Sequence, residues 1–220
     1  MRLTQTEFDE KRANGELRLA LIGMSNIGKS YTAERIAKAD GFTCYEIDAQ
    51  IQEKLLAKMK NPSMEEMAKW MGHPYSEGYA EKAAEYLAME TELSLQASTH
   101  KGNLVLDTTG SVIHIADAAK QTLKDDFLVI YIKASSVDID VLINRYFKFP
   151  KPTIWGDNFN AISGKTNRES LLSCYPGLLK LRAELYADLA DITVAAADLA
   201  KADMNDSDII PYLRGHLPCG

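Results

Sequence analysis

Short apolar segments alternate with helical patterns along most of the chain, which has 220 residues. Five of these segments have the length and apolar content of buried strands. They span residues 18–22, 43–47, 103–106, 128–132 and 192–194. Because helical patterns or loops separate them, the alternation predicts an α/β fold with a parallel sheet.

Two regions interrupt this alternation. Residues 48–100 show only helical periodicity. One helix face in that region collects Tyr79, Ala83, Tyr86 and Leu87. Residues 147–167 combine two prolines, two glycines and several asparagines, and a loop of that length is usually functional or disordered. No repeat or linker divides the chain, so we expect a single domain over residues 1–220.

The composition narrows the class of protein without identifying it. The formal net charge is −6, so the chain lacks the basic character of nucleic-acid binders. No apolar run approaches the roughly 18 residues of a membrane span, and residues 1–16 lack a signal-peptide core. The three cysteines are widely spaced, which argues against a disulfide framework and fits a reducing compartment. We therefore expect a cytoplasmic protein, with a monomer favoured and neither nucleic acid nor membrane among its partners.

The segment GMSNIGKS, from Gly23 to Ser30, fits the pattern G-x-x-x-x-G-K-[ST] and lies between a predicted strand and a helical pattern. Its glycines allow backbone N–H groups to surround phosphate oxygens, and the following helix adds positive partial charge at its N-terminus. Lys29 is expected to reach the terminal phosphates and the Ser30 hydroxyl to bind Mg²⁺. The alternative is an ordinary glycine turn with a solvated lysine. The predicted phosphate site comprises Gly23, Ser25, Asn26, Ile27, Gly28, Lys29, Ser30 and Tyr31.

Asp107 ends an apolar strand in NLVLDTTGS, where an aspartate can hold Mg²⁺ through water. The residues from Asp107 to Gly110 also fit the D-x-x-G pattern of GTPases. However, the guanine-recognition pattern N-K-x-D is absent after the next strand, which continues as VIYIKASS. This absence disfavours a GTPase. The alternative role for Asp107 is that of a turn residue at the end of the strand.

The second strand ends in YEID, with Glu46 and Asp48 two residues apart. In a strand, such residues point to the same side, so both carboxylates are expected at the carboxyl edge of the sheet, where open α/β folds bind ligands. One could assist Mg²⁺ while the other orients a substrate hydroxyl towards the γ-phosphate. Alternatively, Asp48 only caps the following helix.

Arg182 lies within an apolar stripe, four residues after Leu178 and four before Tyr186. The same stripe contains Leu185 and Leu189. An inward-facing arginine is unfavourable unless an anion or a carboxylate pairs with it. Arg182 therefore forms either a structural salt bridge or a cation that points into a substrate site.

These motifs together resemble shikimate kinase and its relatives among the P-loop small-molecule kinases, over residues 17–194. The resemblance implies a three-layer α/β/α domain of the P-loop NTPase type, with a mainly parallel five-stranded sheet. It further implies a helical substrate-binding region at residues 48–100 and a lid at residues 147–167. The implied cofactors are ATP and Mg²⁺, and the resemblance implies that Lys29 and Ser30 bind them.

The same resemblance assigns roles to further residues. Asp48 holds and orients the acceptor hydroxyl, and Arg182 holds a substrate anion, so that the catalytic set is Lys29, Asp48 and Arg182. Arg145 and Arg168 flank the lid and approach the nucleotide. The predicted metal site comprises Ser30, Glu46 and Asp107, and the predicted substrate site comprises Asp48, Thr108, Thr109, Gly110 and Arg182.

Four departures from the family pattern bear on the substrate. Thr108, Thr109, Gly110 and Ser111 stand where the family has three glycines. Ala80 replaces a second substrate arginine, Glu46 an aspartate and Glu184 a proline. We therefore expect the two threonines to crowd the pocket and one anion contact to be missing.

The predicted function is ATP-dependent phosphorylation of a hydroxyl on a small anionic metabolite, with shikimate a poor substrate or none. The alternatives are a nucleotide-binding protein without phosphoryl transfer and a shikimate kinase with a divergent pocket. The lid, with Lys148, Lys151 and Lys165 among few long apolar side chains, is expected to be poorly ordered until nucleotide closes it.

Overall fold

All five predicted strands are present in the structure, a computed structural model that describes residues 3–220. They are β1 (Arg18–Ile22), β2 (Thr43–Glu46), β3 (Leu104–Asp107), β4 (Leu128–Lys133) and β5 (Ile192–Ala195). Every neighbouring pair is parallel, and the order in the sheet is β2-β3-β1-β4-β5. The prediction of a five-stranded parallel sheet is confirmed.

Helices cover both faces of this sheet. They are α1 (Gln5–Ala13), α2 (Lys29–Asp40), α3 (Ile47–Leu55), α4 (Met64–Met71), α5 (Tyr79–Ala97), α6 (Asp117–Asp126), α7 (Ser136–Lys148), α8 (Asn167–Leu189), α9 (Ala196–Leu199) and α10 (Ile209–Arg214). Alternate residues of β1 belong to different cores, with Ala20 and Ile22 on one face and Leu19 and Leu21 on the other. The layers are therefore helix, sheet and helix, as predicted. None of the helices in residues 3–220 is long and apolar enough to cross a membrane.

The region between β2 and β3 is helical, as its periodicity predicted. It contains α3, α4 and α5. Of the predicted face, Tyr79, Ala83 and Tyr86 are buried and Leu87 packs partly against them.

The prediction that Glu46 and Asp48 share one strand is wrong. β2 ends at Glu46, which keeps extended backbone angles and becomes the N-cap of α3, so Asp48 lies in the first turn of that helix. A carboxylate is favourable there because the N-terminus of a helix carries positive partial charge. Asp48 is not the capping residue, so the simple capping alternative does not apply either.

The irregular segment between α7 and α8 divides into two parts. Ile154 and Trp155 are buried in the core, with exposures of 5% and 1%. The Tyr79 hydroxyl fixes this part, since it donates to the Thr153 carbonyl at 2.9 Å and accepts from the Trp155 N–H at 2.8 Å. The later part, residues 163–166, is exposed. Residues 153–155 therefore pack into the core although the segment has few long apolar side chains, and the lid and its closure on nucleotide binding stay predictions.

Candidate active site

The turn between β1 and α2 has the backbone that its glycines predicted. Gly23 has φ +146°, and a Cβ there would lie 2.7 Å from the Ile132 carbonyl oxygen, so only glycine fits. Asn26 also has a positive φ, and Gly28, at φ +107°, is the N-cap of α2. The loop thus leads directly into the N-terminus of a twelve-residue helix, the arrangement that binds phosphate.

Lys29 is held inside this turn. Its side chain is buried, and its Nζ donates to the carbonyl oxygens of Gly23 at 3.1 Å and Met24 at 3.0 Å. Burial lowers the pKa of Lys29, while the charges of Asp107 and Asp48 act in the opposite direction. Carbonyl oxygens carry no net charge, so they do not neutralise the Lys29 ammonium group. An anion bound at the turn would neutralise it.

Asp107 has the properties expected of a ligand to a divalent cation. It is 5% exposed at the end of β3, and its Oδ1 is buried without a hydrogen-bond partner. Burial raises its pKa, while the charge of Lys29 and a hydrogen bond from Ser30 lower it. Glu46 lies opposite Asp107 in the β2–β3 register, and burial, followed by the charge of Asp107, raises the pKa of Glu46.

The residues present fit Mg²⁺ better than a cation that needs a full protein cage. Within residues 3–220 no group of three His, Cys, Asp or Glu side chains could hold a metal ion. Mg²⁺ typically uses one or two carboxylates, with water and substrate phosphates as its other ligands. Ser30 and Asp107, with Glu46 beside them, are sufficient for that mode of binding.

A cavity of about 210 Å³ opens at the turn. We call it the phosphate cavity, and its lining comprises Ser25, Asn26, Gly28, Lys29, Ser30, Tyr31, Asp48, Thr108, Gly110, Arg145 and Lys151. Asp48 and Arg145 are therefore where the sequence predicted, next to the phosphate turn. Arg168, in contrast, is exposed in the first turn of α8 and is not among the lining residues.

A second, much smaller cavity of about 10 Å³ lies on the other side of Asp48. We call it the Arg182 cavity, and its lining comprises Ser25, Asp48, Met64, Tyr86, Thr109, Gly110, Ser111, Lys151, Pro152 and Arg182. Asp48 therefore borders both cavities. The structure brings together the three residues of the predicted catalytic set around this point.

Arg182 is 4% exposed and has no carboxylate partner in the described part of the chain. Its Nη2 donates to the Ile154 carbonyl at 2.7 Å, and its Nε is buried without a partner. The salt-bridge alternative is therefore wrong. A buried guanidinium with an unused donor is suited to an anionic ligand.

The loop after β3 approaches the phosphate turn closely. A Cβ on Gly110 would lie 2.6 Å from Ser25 Oγ and 3.6 Å from Arg182 Nη1, so a side chain there would collide with the turn. The Thr108 hydroxyl donates to the Leu21 carbonyl at 2.8 Å, and the Thr109 hydroxyl donates to Glu90 at 2.5 Å. Both threonines line a cavity as predicted, but their hydroxyls are bound to the protein.

Three site residues were not predicted from the sequence. Lys151 lines both cavities from the irregular segment, and Tyr86 donates its hydroxyl to Asp48 Oδ1 at 3.1 Å. Glu90 is fully buried below the loop after β3. Tyr86 and Glu90 could have been found, because they continue the helix face of Tyr79 and Ala83. A glutamate on an apolar face is the kind of exception that indicates a functional role.

Comparison with known proteins identifies the architecture. No family model and no curated protein matches the sequence. Among solved structures, shikimate kinase from Acinetobacter baumannii in complex with shikimate has a TM-score of 0.61 at 19% identity, covering 92% of this chain and 94% of that one. Shikimate kinase from Bacteroides thetaiotaomicron gives 0.60 at 16% identity, covering 90% and 97%.

Deoxyadenosine kinase from M. mycoides with bound dATP has a TM-score of 0.51 at 15% identity, covering 90% of this chain and 98% of that one. At identities this low, these TM-scores establish a shared fold and nothing more. The chain has the P-loop kinase fold of the shikimate kinase type.

Proposed function

We propose that this protein transfers the γ-phosphoryl group of ATP to a hydroxyl of a small anionic metabolite. The observation that carries the proposal is the position of Asp48, which borders both the phosphate cavity and the Arg182 cavity. A carboxylate at that point can contact an acceptor hydroxyl while the acceptor's anionic group lies against Arg182.

Asp48 is suited to be the general base. Tyr86 holds Oδ1 at 3.1 Å, which leaves Oδ2 to accept the proton of the acceptor hydroxyl. The acceptor oxygen then forms a bond to the γ-phosphorus, the bond from that phosphorus to the bridging oxygen breaks, and ADP leaves. Lys29 and Lys151 both line the phosphate cavity. Their positive charges can stabilise the negative charge that develops on the phosphate oxygens during transfer.

Magnesium, held by Ser30 and Asp107 with Glu46 nearby, would shield the charge of the ATP phosphates. The unpartnered Oδ1 of Asp107 supports this assignment. The cofactors proposed for the protein are therefore ATP and Mg²⁺.

The acceptor is proposed to be anionic because the Arg182 cavity holds two cationic side chains. Arg182, whose Nε is buried without a partner, and Lys151 both belong to its lining. Lys151 can thus take over the anion contact that Ala80 lacks. A cavity of about 10 Å³ holds no more than one water molecule, so residues 152–154 must move to admit an acceptor.

A second candidate function is nucleotide binding without phosphoryl transfer. The observation that favours it is the hydrogen bond from Arg182 to the Ile154 carbonyl, which occupies the donor that an acceptor needs. In that case the Arg182 cavity never opens, and ATP only sets a conformation.

Release of ADP from Mg-ATP, measured with and without a panel of hydroxy acids and uncharged polyols, tests the proposal. We expect acceptor-dependent ADP release with at least one hydroxy acid, with shikimate weak or inactive, and its loss in Asp48→Asn. Calorimetric binding of ATP without acceptor-dependent release across the panel would favour the second candidate. Efficient turnover of shikimate would overturn only its exclusion.

A further inference from the structure

Three oxygen-bearing side chains form a closed triangle under the loop of residues 109–111. Thr109 Oγ1 lies 2.5 Å from Glu90 Oε1, and Ser111 Oγ lies 2.6 Å from Glu90 Oε2. The two hydroxyl oxygens are 2.8 Å from each other, so the third side of the triangle is also within hydrogen-bond distance. All three side chains are buried, and Glu90 has no exposed surface.

The protonated form of Glu90 fits this triangle better than the ionised form. Each of the three contacts between oxygens needs one hydrogen, and the two hydroxyls supply two. An ionised Glu90 would receive both, which would leave the oxygens of Thr109 and Ser111 facing each other at 2.8 Å with no hydrogen between them. A protonated Glu90 supplies the third hydrogen. It then donates to Ser111, Ser111 donates to Thr109, and Thr109 donates back to Glu90.

The remaining environment of the Glu90 carboxyl also opposes its ionisation. Burial is the largest influence, and although the hydrogen bonds from Ser111 and Thr109 lower the pKa of Glu90, it is raised to about 7. The charge of Asp48 on α3 also raises the pKa of Glu90, whereas the charge of Arg182 on α8 lowers it. Tyr186 on α8, Tyr86 on α5 and Lys29 on α2 also interact electrostatically with Glu90.

We propose that Glu90 is a positioning residue that works as a neutral carboxylic acid and closes a ring of three hydrogen bonds fixing the 109–111 loop beside the Arg182 cavity. Gly110 is the centre of that loop, and it lies against Ser25 of the phosphate turn and near Arg182. The Tyr186 hydroxyl also holds its carbonyl. The ring therefore sets the position of the backbone that separates the two cavities.

Loss of the Glu90 proton opens this ring and adds a negative charge near Asp48. The contact between the two hydroxyl oxygens then has no hydrogen, and of the bonds between Thr109 and Ser111 only that from the Ser111 N–H to Thr109 Oγ1, at 2.9 Å, remains. The proposal goes beyond the phosphoryl-transfer reaction, and both of its properties, protonation and loop order, can be measured without turnover.

Infrared difference spectroscopy of the full chain tests the protonation state. The C=O stretch of a protonated buried carboxyl is separate from that of carboxylates, and we expect it at pH 6, with loss at a midpoint near pH 7. Glu90→Gln should remove the band. The matched control is Glu81→Gln, an exposed glutamate on the same helix, which should leave it unchanged. Absence of the band at pH 6 would overturn the proposal.

Hydrogen–deuterium exchange of residues 104–115, with times corrected for the intrinsic effect of pH, tests the positioning role. Wild-type exchange should be faster at pH 8.5 than at pH 6. Glu90→Gln should stay slow at both, because its amide donates to Ser111 and accepts from Thr109 as the neutral acid does. Thr109→Val, which keeps the shape but opens the ring, should be fast at both. Equal exchange in wild type at the two pH values would overturn the positioning role.

Urea unfolding gives an independent measurement with a defined sign. The pKa of Glu90 is about 7 in the folded state, above its ordinary value of 4.5. Between these two pH values the unfolded chain has lost a proton that the folded chain keeps, so wild-type stability must fall relative to Glu90→Gln as the pH rises through that range. A constant difference between the two proteins from pH 4 to pH 8 would contradict a protonated Glu90.

Discussion

The two cavities that meet at Asp48 are built in different ways. Most of the phosphate cavity is formed by consecutive residues of one turn and the helix after it, and it is open, at about 210 Å³. The Arg182 cavity is assembled from the phosphate turn, α3, α4, α5, α8, the 109–111 loop and the segment before α8, and it is nearly closed, at about 10 Å³. In the proposed reaction, the donor half of the site would thus be preformed, whereas the acceptor half would have to open.

This difference has a consequence for the order of events. Pro152 lines the Arg182 cavity and the Ile154 carbonyl accepts a hydrogen bond from Arg182, and both residues belong to the segment that supplies Lys151 to both cavities. Phosphate binding at the open cavity can therefore act on the segment through Lys151. Variants that change only the phosphate cavity or only the Arg182 cavity test the proposed roles of the two cavities separately.

The largest effect is expected from Asp48→Asn. The amide cannot accept the hydroxyl proton, so acceptor-dependent turnover should fall by roughly 10²- to 10⁴-fold, the usual range for a general base. Affinity for ATP, measured by calorimetry, should change little because Asp48 makes no phosphate contact in the proposed role. Glu53→Gln, an exposed change on the same helix, is the control. Full activity of Asp48→Asn would show that the assigned base is wrong.

Lys29→Ala tests the donor half. Removal of the cation should weaken ATP binding and reduce turnover by roughly 10²- to 10³-fold, as for loss of one preorganised electrostatic contact. The variant should still fold, because burial already disfavours the charged form of Lys29, as its lowered pKa indicates. Lys38→Ala, an exposed lysine on the same helix, provides the comparison. Unchanged ATP affinity in Lys29→Ala would place the nucleotide elsewhere.

A smaller effect, confined to the acceptor half, is expected from Arg182→Lys. Lysine keeps the positive charge but cannot bind an anion at two points as the guanidinium group does. The loss of one charged hydrogen bond costs about 1.5–3 kcal/mol. The Michaelis constant for a hydroxy acid should rise by roughly tenfold to a hundredfold, with ATP affinity unchanged. Lys180→Met, exposed on the same helix, should leave both constants unaffected. An equal loss towards uncharged polyols would argue against an anion at Arg182.

The smallest effect concerns the exposed part of the lid. A non-hydrolysable ATP analogue should slow tryptic cleavage after Lys165 severalfold, because closure over the phosphates orders the chain around it. Lys101, exposed in a loop away from the site, serves as the internal control. Cleavage at Lys165 that does not respond to the analogue would mean that the segment is not a nucleotide-dependent lid.

Local sequence was sufficient for the features whose causes are local. The five strands follow from apolar runs, and the phosphate turn follows from glycines that alone tolerate its backbone, such as Gly23. The inward direction of Arg182 followed from helical periodicity. Asp48 lies beside the phosphate turn as predicted, but its element was wrong, because the chain changes from strand to helix one residue earlier than its local pattern indicated.

Tertiary structure alone decided what surrounds these residues. Glu90 meets Thr109 and Ser111 across 19 and 21 positions of sequence, and Arg182 meets the Ile154 carbonyl across 28. Helical or strand periodicity fixes which side of an element a residue occupies, but it carries no information about the partner that packs there. The sequence therefore determined the sheet, the phosphate turn and the buried cation, and only the packing of α5, α8 and the loops decided that the Arg182 cavity is nearly closed and that Glu90 is buried under the 109–111 loop.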